Sequence, residues 1–209
     1  MWKKGIVPFW DEKISNGFPL LSDPHSTALY PLIFPLILFP TFKCFTFLCL
    51  FHHLLFLIGS FLFASIILKN PYLCLFLSNF VGYNGIIIRN FSFCNPLWGI
   101  AYLPWVLFFF YKYLQNSKKI NLALTSIFFS FSILAGFDLA PLIFSFSLFI
   151  LTIFVNFKKI KALGICILLA FLLSAPQTIP TLLYLPHTSR ASDYLDYEAT
   201  SGIFSLHPF

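Results

Sequence analysis

Asp138-Leu139-Ala140-Pro141-Leu142-Ile143-Phe144-Ser145-Phe146-Ser147-Leu148-Phe149-Ile150-Leu151-Thr152-Ile153-Phe154-Val155-Asn156-Phe157-Lys158-Lys159-Ile160-Lys161 is an apolar run with an acid at one end and three lysines at the other. Its apolar positions are continuous and lack the dyad alternation of a transmembrane strand, which predicts a helix. A bilayer core takes about 20 apolar residues per helix, and the run from 139 to 157 has that length.

Working outward, five further runs of the same kind lie at roughly 43 to 68, 71 to 88, 97 to 115, 120 to 137 and 160 to 184. The breaks between them are short: Lys69-Asn70-Pro71, Asn116-Ser117-Lys118-Lys119, the turn at Asp138 and Lys158 to Lys161. Composition agrees. With 59% hydrophobic residues, 10% charged and a mean hydropathy of +0.87, the 209-residue chain has too little polar surface to solvate a globule. The expected fold is an all-α, polytopic membrane helix bundle of about six transmembrane helices. It has three regions: an extracytoplasmic loop over 1–42 with a re-entrant or interfacial part, a six-helix region over 43–184, and an extracytoplasmic tail over 185–209.

Threading the six runs back and forth collects Lys69, Lys112, Lys118, Lys119 and Lys158 to Lys161 on one side. The positive-inside rule makes that side cytoplasmic. All seven carboxylates, Asp11, Glu12, Asp23, Asp138, Asp193, Asp196 and Glu198, fall on the other, together with both termini. An acid at mid-membrane costs about 2.5–3.5 kcal/mol against a gain of about 0.3–0.6 kcal/mol for each Leu or Phe. Their exclusion from the runs follows. The net charge of +6 thus reflects anchoring lysines and does not point to nucleic acid. The expected location is the cytoplasmic (inner) membrane. A polar segment at Met1-Trp2-Lys3-Lys4 with no signal peptide, and the abrupt Ser205-Leu206-His207-Pro208-Phe209, suggest an internal piece of a longer chain with portions missing at both sides.

The five cysteines show no metal spacing; a Cys44–Cys94 disulfide near the outer face is one option, and small buried hydrophobes the other. His52 and His53 sit within a run, where ionisable groups mark function by default. Adjacent helical residues diverge by about 100°, so the pair does not face one ion, and interhelical hydrogen bonding by one of them is expected.

The segment Pro8-Phe9-Trp10-Asp11-Glu12-Lys13-Ile14-Ser15-Asn16-Gly17-Phe18-Pro19-Leu20-Leu21-Ser22-Asp23-Pro24-His25-Ser26-Thr27-Ala28-Leu29-Tyr30-Pro31 alternates turn residues with aromatics. Pro31, Pro35 and Pro40 then interrupt an apolar stretch. Ordering such a loop suits either a cap over a membrane-level cavity or an aromatic anchor in the headgroups.

Trp10, Asn16-Gly17-Phe18-Pro19, Asp23-Pro24-His25-Ser26 and Tyr30-Pro31 together resemble the first outer loop of the YfhO-like bacterial membrane proteins, polytopic glycosyltransferases of the GT-C type. Leu103-Pro104-Trp105, Ala135-Gly136, Ala175-Pro176-Gln177-Thr178-Ile179-Pro180-Thr181, Ser189-Arg190 and the stretch from Ala199 to Pro208 follow in the family's order. The resemblance implies sugar transfer from a polyprenyl-phosphate-linked donor to a cell-envelope acceptor. Asp23, on the loop motif, is then the expected catalytic base, with Asp11, Glu12 and Asp138 as further acids. Arg89 and Arg190, the two arginines, are expected to hold the donor phosphate bidentately. Asp11-Glu12 stand where relatives carry Asn-Pro, and Gly136-Phe137-Asp138-Leu139 where they carry Gly-His-Pro-Gln. The membrane helix and acidic site that precede this loop in the family are missing here.

No cofactor is expected and no metal ligand set is assigned; Asp193 and Asp196 read as solvated charge, and a divalent-metal requirement stays open. Membrane lipids are the other expected partners. The alternatives are a transporter fragment, which predicts broken helices or ionisable groups at mid-depth, and a non-catalytic membrane subunit.

Overall fold

The computed structural model describes residues 7–12, 17–92 and 94–187. Arg190, Asp193, Asp196, Glu198 and the motifs at Asn16, at Ser189-Arg190 and from Ala199 to Pro208 lie outside the described residues. Those described form an all-α bundle. A single antiparallel bridge, Asp11 with Phe18, is the one sheet-like contact among them.

Nine α-helices occur among the described residues. A short α1 (Phe34–Leu38) precedes α2 (Phe42–Ile67), which starts at Thr41, whose hydroxyl accepts the Cys44 amide at 3.2 Å. The second run is split into α3 (Pro71–Gly82) and α4 (Gly85–Arg89). Asn70 caps α3 with Pro71 in the first turn, and Asn84 caps α4 by accepting the Ile87 amide at 3.0 Å. The second run, expected as one span over 71 to 88, is thus interrupted at Gly82-Tyr83-Asn84, where the Asn84 cap starts a new helix. The third run also has two parts, α5 (Cys94–Ile100) and α6 (Leu103–Asn116), offset at Ala101-Tyr102. Then come α7 (Lys119–Leu134), α8 (Ala140–Asn156) and α9 (Ile160–Tyr184).

Side-chain contacts fix the directions of these passes. At one end Asn95, before the bulk of α5, donates to the carbonyls of His25 (3.0 Å) and Ala135 (3.1 Å). At the other, the Lys159 ammonium donates to the Tyr113 and Leu114 carbonyls at 3.0 and 2.7 Å and to the Ser117 hydroxyl at 2.7 Å. Gln177, late in α9, returns to the first end by donating to the carbonyls of Leu21 and Asp23. The long apolar stretch Ala140–His187 is therefore a hairpin of two antiparallel helices turning at Phe157–Lys159, as the lysine break predicts. The run expected over 160 to 184 is the single helix α9, which continues through Pro176 and Pro180.

Three stretches among the described residues, Phe42–Ile67, Cys94–Asn116 and Ala140–His187, are long and apolar enough to cross a membrane. The exterior agrees: Phe154 exposes 84% and Tyr72 81% of their surface, amid many exposed Leu, Ile and Phe. A water-soluble monomer rarely shows contiguous apolar area on that scale. The chain is thus a membrane-type helical bundle with an aromatic interior. Phe110, Phe129 and Phe144 are fully buried, and α2 meets α6 where a Cβ on Gly59 would lie 2.6 Å from Trp105 Nε1. That indole donates to the Leu55 carbonyl at 2.9 Å. The cysteines are free thiols, so the Cys44–Cys94 disulfide is not formed.

Candidate functional site

The loop over 17–33 is pulled into the acid-bearing end of the bundle by Tyr30. Its ring is fully buried and stacks on Trp98 at 5.8 Å. His52 Nδ1 lies 2.7 Å from the Leu48 carbonyl, which only accepts, so in the neutral imidazole Nδ1 carries the proton and Nε2 accepts. Tyr30 therefore donates to His52 Nε2 and accepts from the Tyr102 hydroxyl. The order Tyr102, Tyr30, His52, Leu48 satisfies every member. Burial, and next the neighbouring Tyr102, hold the Tyr30 phenol well above the usual tyrosine range. His52 thus bonds the loop, where a bond to another helix was expected; His53, the adjacent residue, faces Tyr83 and Phe91 instead.

Three more contacts seat the loop. Asn95 and Gln177 hold its carbonyls, as described above. Gly136 at φ +75° turns under it so closely that a Cβ would sit 2.4 Å from the Pro24 carbonyl oxygen. Asp23 caps the turn Pro24–Ser26, its Oδ1 accepting the His25 amide at 3.0 Å. The Ser26 hydroxyl closes the same turn on the Leu20 carbonyl at 2.7 Å.

Beneath this loop, between the α7–α8 turn and α9, is a cleft of about 250 Å³ lined by Pro24, Phe137, Asp138, Gln177, Thr178 and Thr181 among others. Asp138 Oδ2 lies 3.2 Å from His25 Nε2, with both side chains about half exposed. A pair so exposed contributes about 0–1 kcal/mol to stability, and its groups remain reachable. The Gln177 side chain is buried, and its orientation is unambiguous: the amide nitrogen must face the Leu21 and Asp23 carbonyls, at 2.8 and 3.2 Å. That leaves Oε1 buried without a partner. An unsatisfied buried acceptor costs about 1–3 kcal/mol.

A larger groove of about 380 Å³ between α2, α3 and α6 is lined by Phe56, Leu77 and Leu107 and similar side chains. It offers surface for an apolar chain and little for chemistry.

Of the residues expected to act, Asp138 lines the cleft and Asp23 shapes the loop above it. Asp11 pairs through its backbone with Phe18, and Glu12 is exposed. Arg89 ends α4 as an exposed side chain and is not among the residues lining the cleft; Arg190 lies outside the described residues. Gln177 and Tyr30 stand in quoted motifs without an assigned role, and Asn95 was passed over. The signal available for Gln177 was an uncharged polar group deep in an apolar run. Among the described residues no cluster of three or more His, Cys, Asp or Glu is placed to hold a metal ion. No protein-family model, curated protein or solved structure matches the chain.

Proposed function

We propose that the chain is the membrane-embedded part of a GT-C type, YfhO-like glycosyltransferase that moves a sugar from a polyprenyl-phosphate donor to a cell-envelope acceptor. The observation that carries this is spatial. Separate motifs on which the resemblance rests, Asp23-Pro24-His25-Ser26, Ala135-Gly136 and Gln177, meet at the loop above one cleft although up to 154 residues separate them.

In this reading Asp138, rather than Asp23, is the general base, because its carboxylate lines the cleft while Asp23 Oδ1 is turned back on its own loop. The carboxylate takes the acceptor hydroxyl proton as that oxygen bonds to the anomeric carbon; the bond from that carbon to phosphate oxygen breaks, and polyprenyl phosphate leaves with the electron pair. His25 holds Oδ2 and orients the other oxygen. Arg89 and Arg190 keep their proposed place at the leaving phosphate, the acid-bearing end faces outward, and the membrane is the cytoplasmic one.

The test is envelope sugar transfer in cells carrying Asp138→Asn or Asp23→Asn at equal protein abundance. Loss of general-base catalysis lowers the rate about 10²–10⁴-fold; Asp138→Asn is expected to show that loss, whereas Asp23→Asn keeps the cap acceptor and most activity. The reverse pattern returns the base to Asp23, and unchanged transfer in both removes the enzymatic reading.

One feature favours a transporter fragment as the second reading: the α3–α4 break lies beside buried His53, whose two ring nitrogens have no hydrogen-bond partner. His53→Leu would then abolish the cellular function, and Asp138→Asn would leave it intact.

A further inference from the structure

We propose that the cleft under the outer loop is a subsite for one neutral sugar ring, read through its hydroxyl protons by Gln177, Asp138, Thr178 and Thr181. The inference rests on the glycosyl-transfer reading above and names the acceptor side of it.

The polarity of the lining decides the ligand. The Thr178 hydroxyl donates to the Ser174 carbonyl at 3.2 Å and the Thr181 hydroxyl to the Gln177 carbonyl at 2.8 Å. With their protons committed to their own helix, both oxygens offer lone pairs only. Gln177 has both amide protons directed at the loop, leaving Oε1, and Asp138 is a carboxylate. Pro24 and Pro141, also in the lining, have no N–H. These polar side chains are all acceptors, so the complementary ligand is a donor.

With a carboxylate and acceptor side chains in the lining, phosphate and other anions are disfavoured here. Between a cation and a neutral hydroxyl compound, the walls decide. Ile133, Phe137, Phe171 and Leu182 are apolar, and the one carboxylate already has an imidazole at 3.2 Å. A desolvated ammonium sharing that carboxylate would be poorly compensated, whereas hydroxyls donate to neutral acceptors and a ring's C–H faces pack on Phe137 and Phe171. The cleft is smaller than the roughly 300–1,000 Å³ of drug-sized pockets, which suits one ring rather than a chain.

Calorimetric titration tests this on the full chain, purified in a detergent with no sugar headgroup. The probes are methyl glycosides of glucose, galactose, mannose and N-acetylglucosamine, with ethanolamine and inorganic phosphate beside them. At least one glycoside is expected to bind, and Gln177→Lys to weaken it about tenfold or more. The lysine ammonium can still donate to the Leu21 and Asp23 carbonyls but has no acceptor; because burying it is costly, hydrogen exchange of residues 19–30 is followed in parallel, and where it departs from the wild type Thr181→Val alone decides. Thr181→Val, which keeps shape and removes one acceptor, is the second variant, with a smaller loss in the same direction. Binding of ethanolamine or phosphate alone, binding of no probe, or wild-type affinity in both variants overturns the subsite. Binding without sugar transfer removes the catalytic reading and leaves the subsite; transfer that depends on Asp138 with wild-type affinity in Gln177→Lys removes the subsite alone.

Discussion

Tyr30 is the residue on which the loop over 17–33 hangs, because its hydroxyl is the middle member of a directed hydrogen-bond chain. Tyr30→Phe leaves both His52 Nε2 and the Tyr102 proton without partners, and the cost expected is about 1–3 kcal/mol. Tyr102→Phe removes only the terminal donor and should cost about 0.5–1.5 kcal/mol; denaturant unfolding of the reconstituted protein compares the two. The same phenol predicts an alkaline limit. Its folded pKa is raised, so above the ordinary value of 10.0 the unfolded chain loses a proton that the folded chain keeps. Stability is then fully present below about pH 10 and falls as pH rises beyond it. Tyr30→Phe should flatten this dependence. Gly136→Ala strains a left-handed position by about 1–3 kcal/mol and drives a methyl into the Pro24 carbonyl, so limited proteolysis of the loop should accelerate.

At the scale of elements, the α8–α9 hairpin is latched to α6 by one ammonium. Lys159 sits over the C-terminal carbonyls of α6, where a cation also complements the helix dipole. Lys159→Met is expected to lower stability by about 1 kcal/mol, and to do so chiefly by loosening residues 113–117 in hydrogen exchange. Much of the element plan was legible beforehand. Lysine and asparagine breaks mark where apolar runs must stop, and Asn70-Pro71 reads directly as a helix start. The interruption at Gly82-Tyr83-Asn84 was missed because Asn84 acts as a cap only when the chain turns there, and local hydropathy does not register a turn inside an apolar run. Pro176 and Pro180 leave α9 unbroken, as the run over 160 to 184 led one to expect. Proline removes a donor from a helix, but packing against α7 and α8 keeps α9 continuous.

At the scale of the whole molecule, the two ends differ in chemistry among the described residues: most lysines at one, and Asp23, Asp138 and the loop, with Lys43 nearby, at the other. In a cysteine-free background, an impermeant thiol reagent applied to intact cells should label Leu139→Cys and spare Ser117→Cys. The opposite labelling would invert the proposed orientation. Helical class, the approximate passes and the division of charge followed from the sequence alone, because the cost of burying a charge in hydrocarbon acts on each residue regardless of its neighbours. The cleft needed tertiary structure. Which acid lines it, which face of Gln177 is left without a partner and which tyrosine holds the loop depend on groups up to 156 residues apart meeting within hydrogen-bond distance, and hydropathy along a chain carries no record of such meetings.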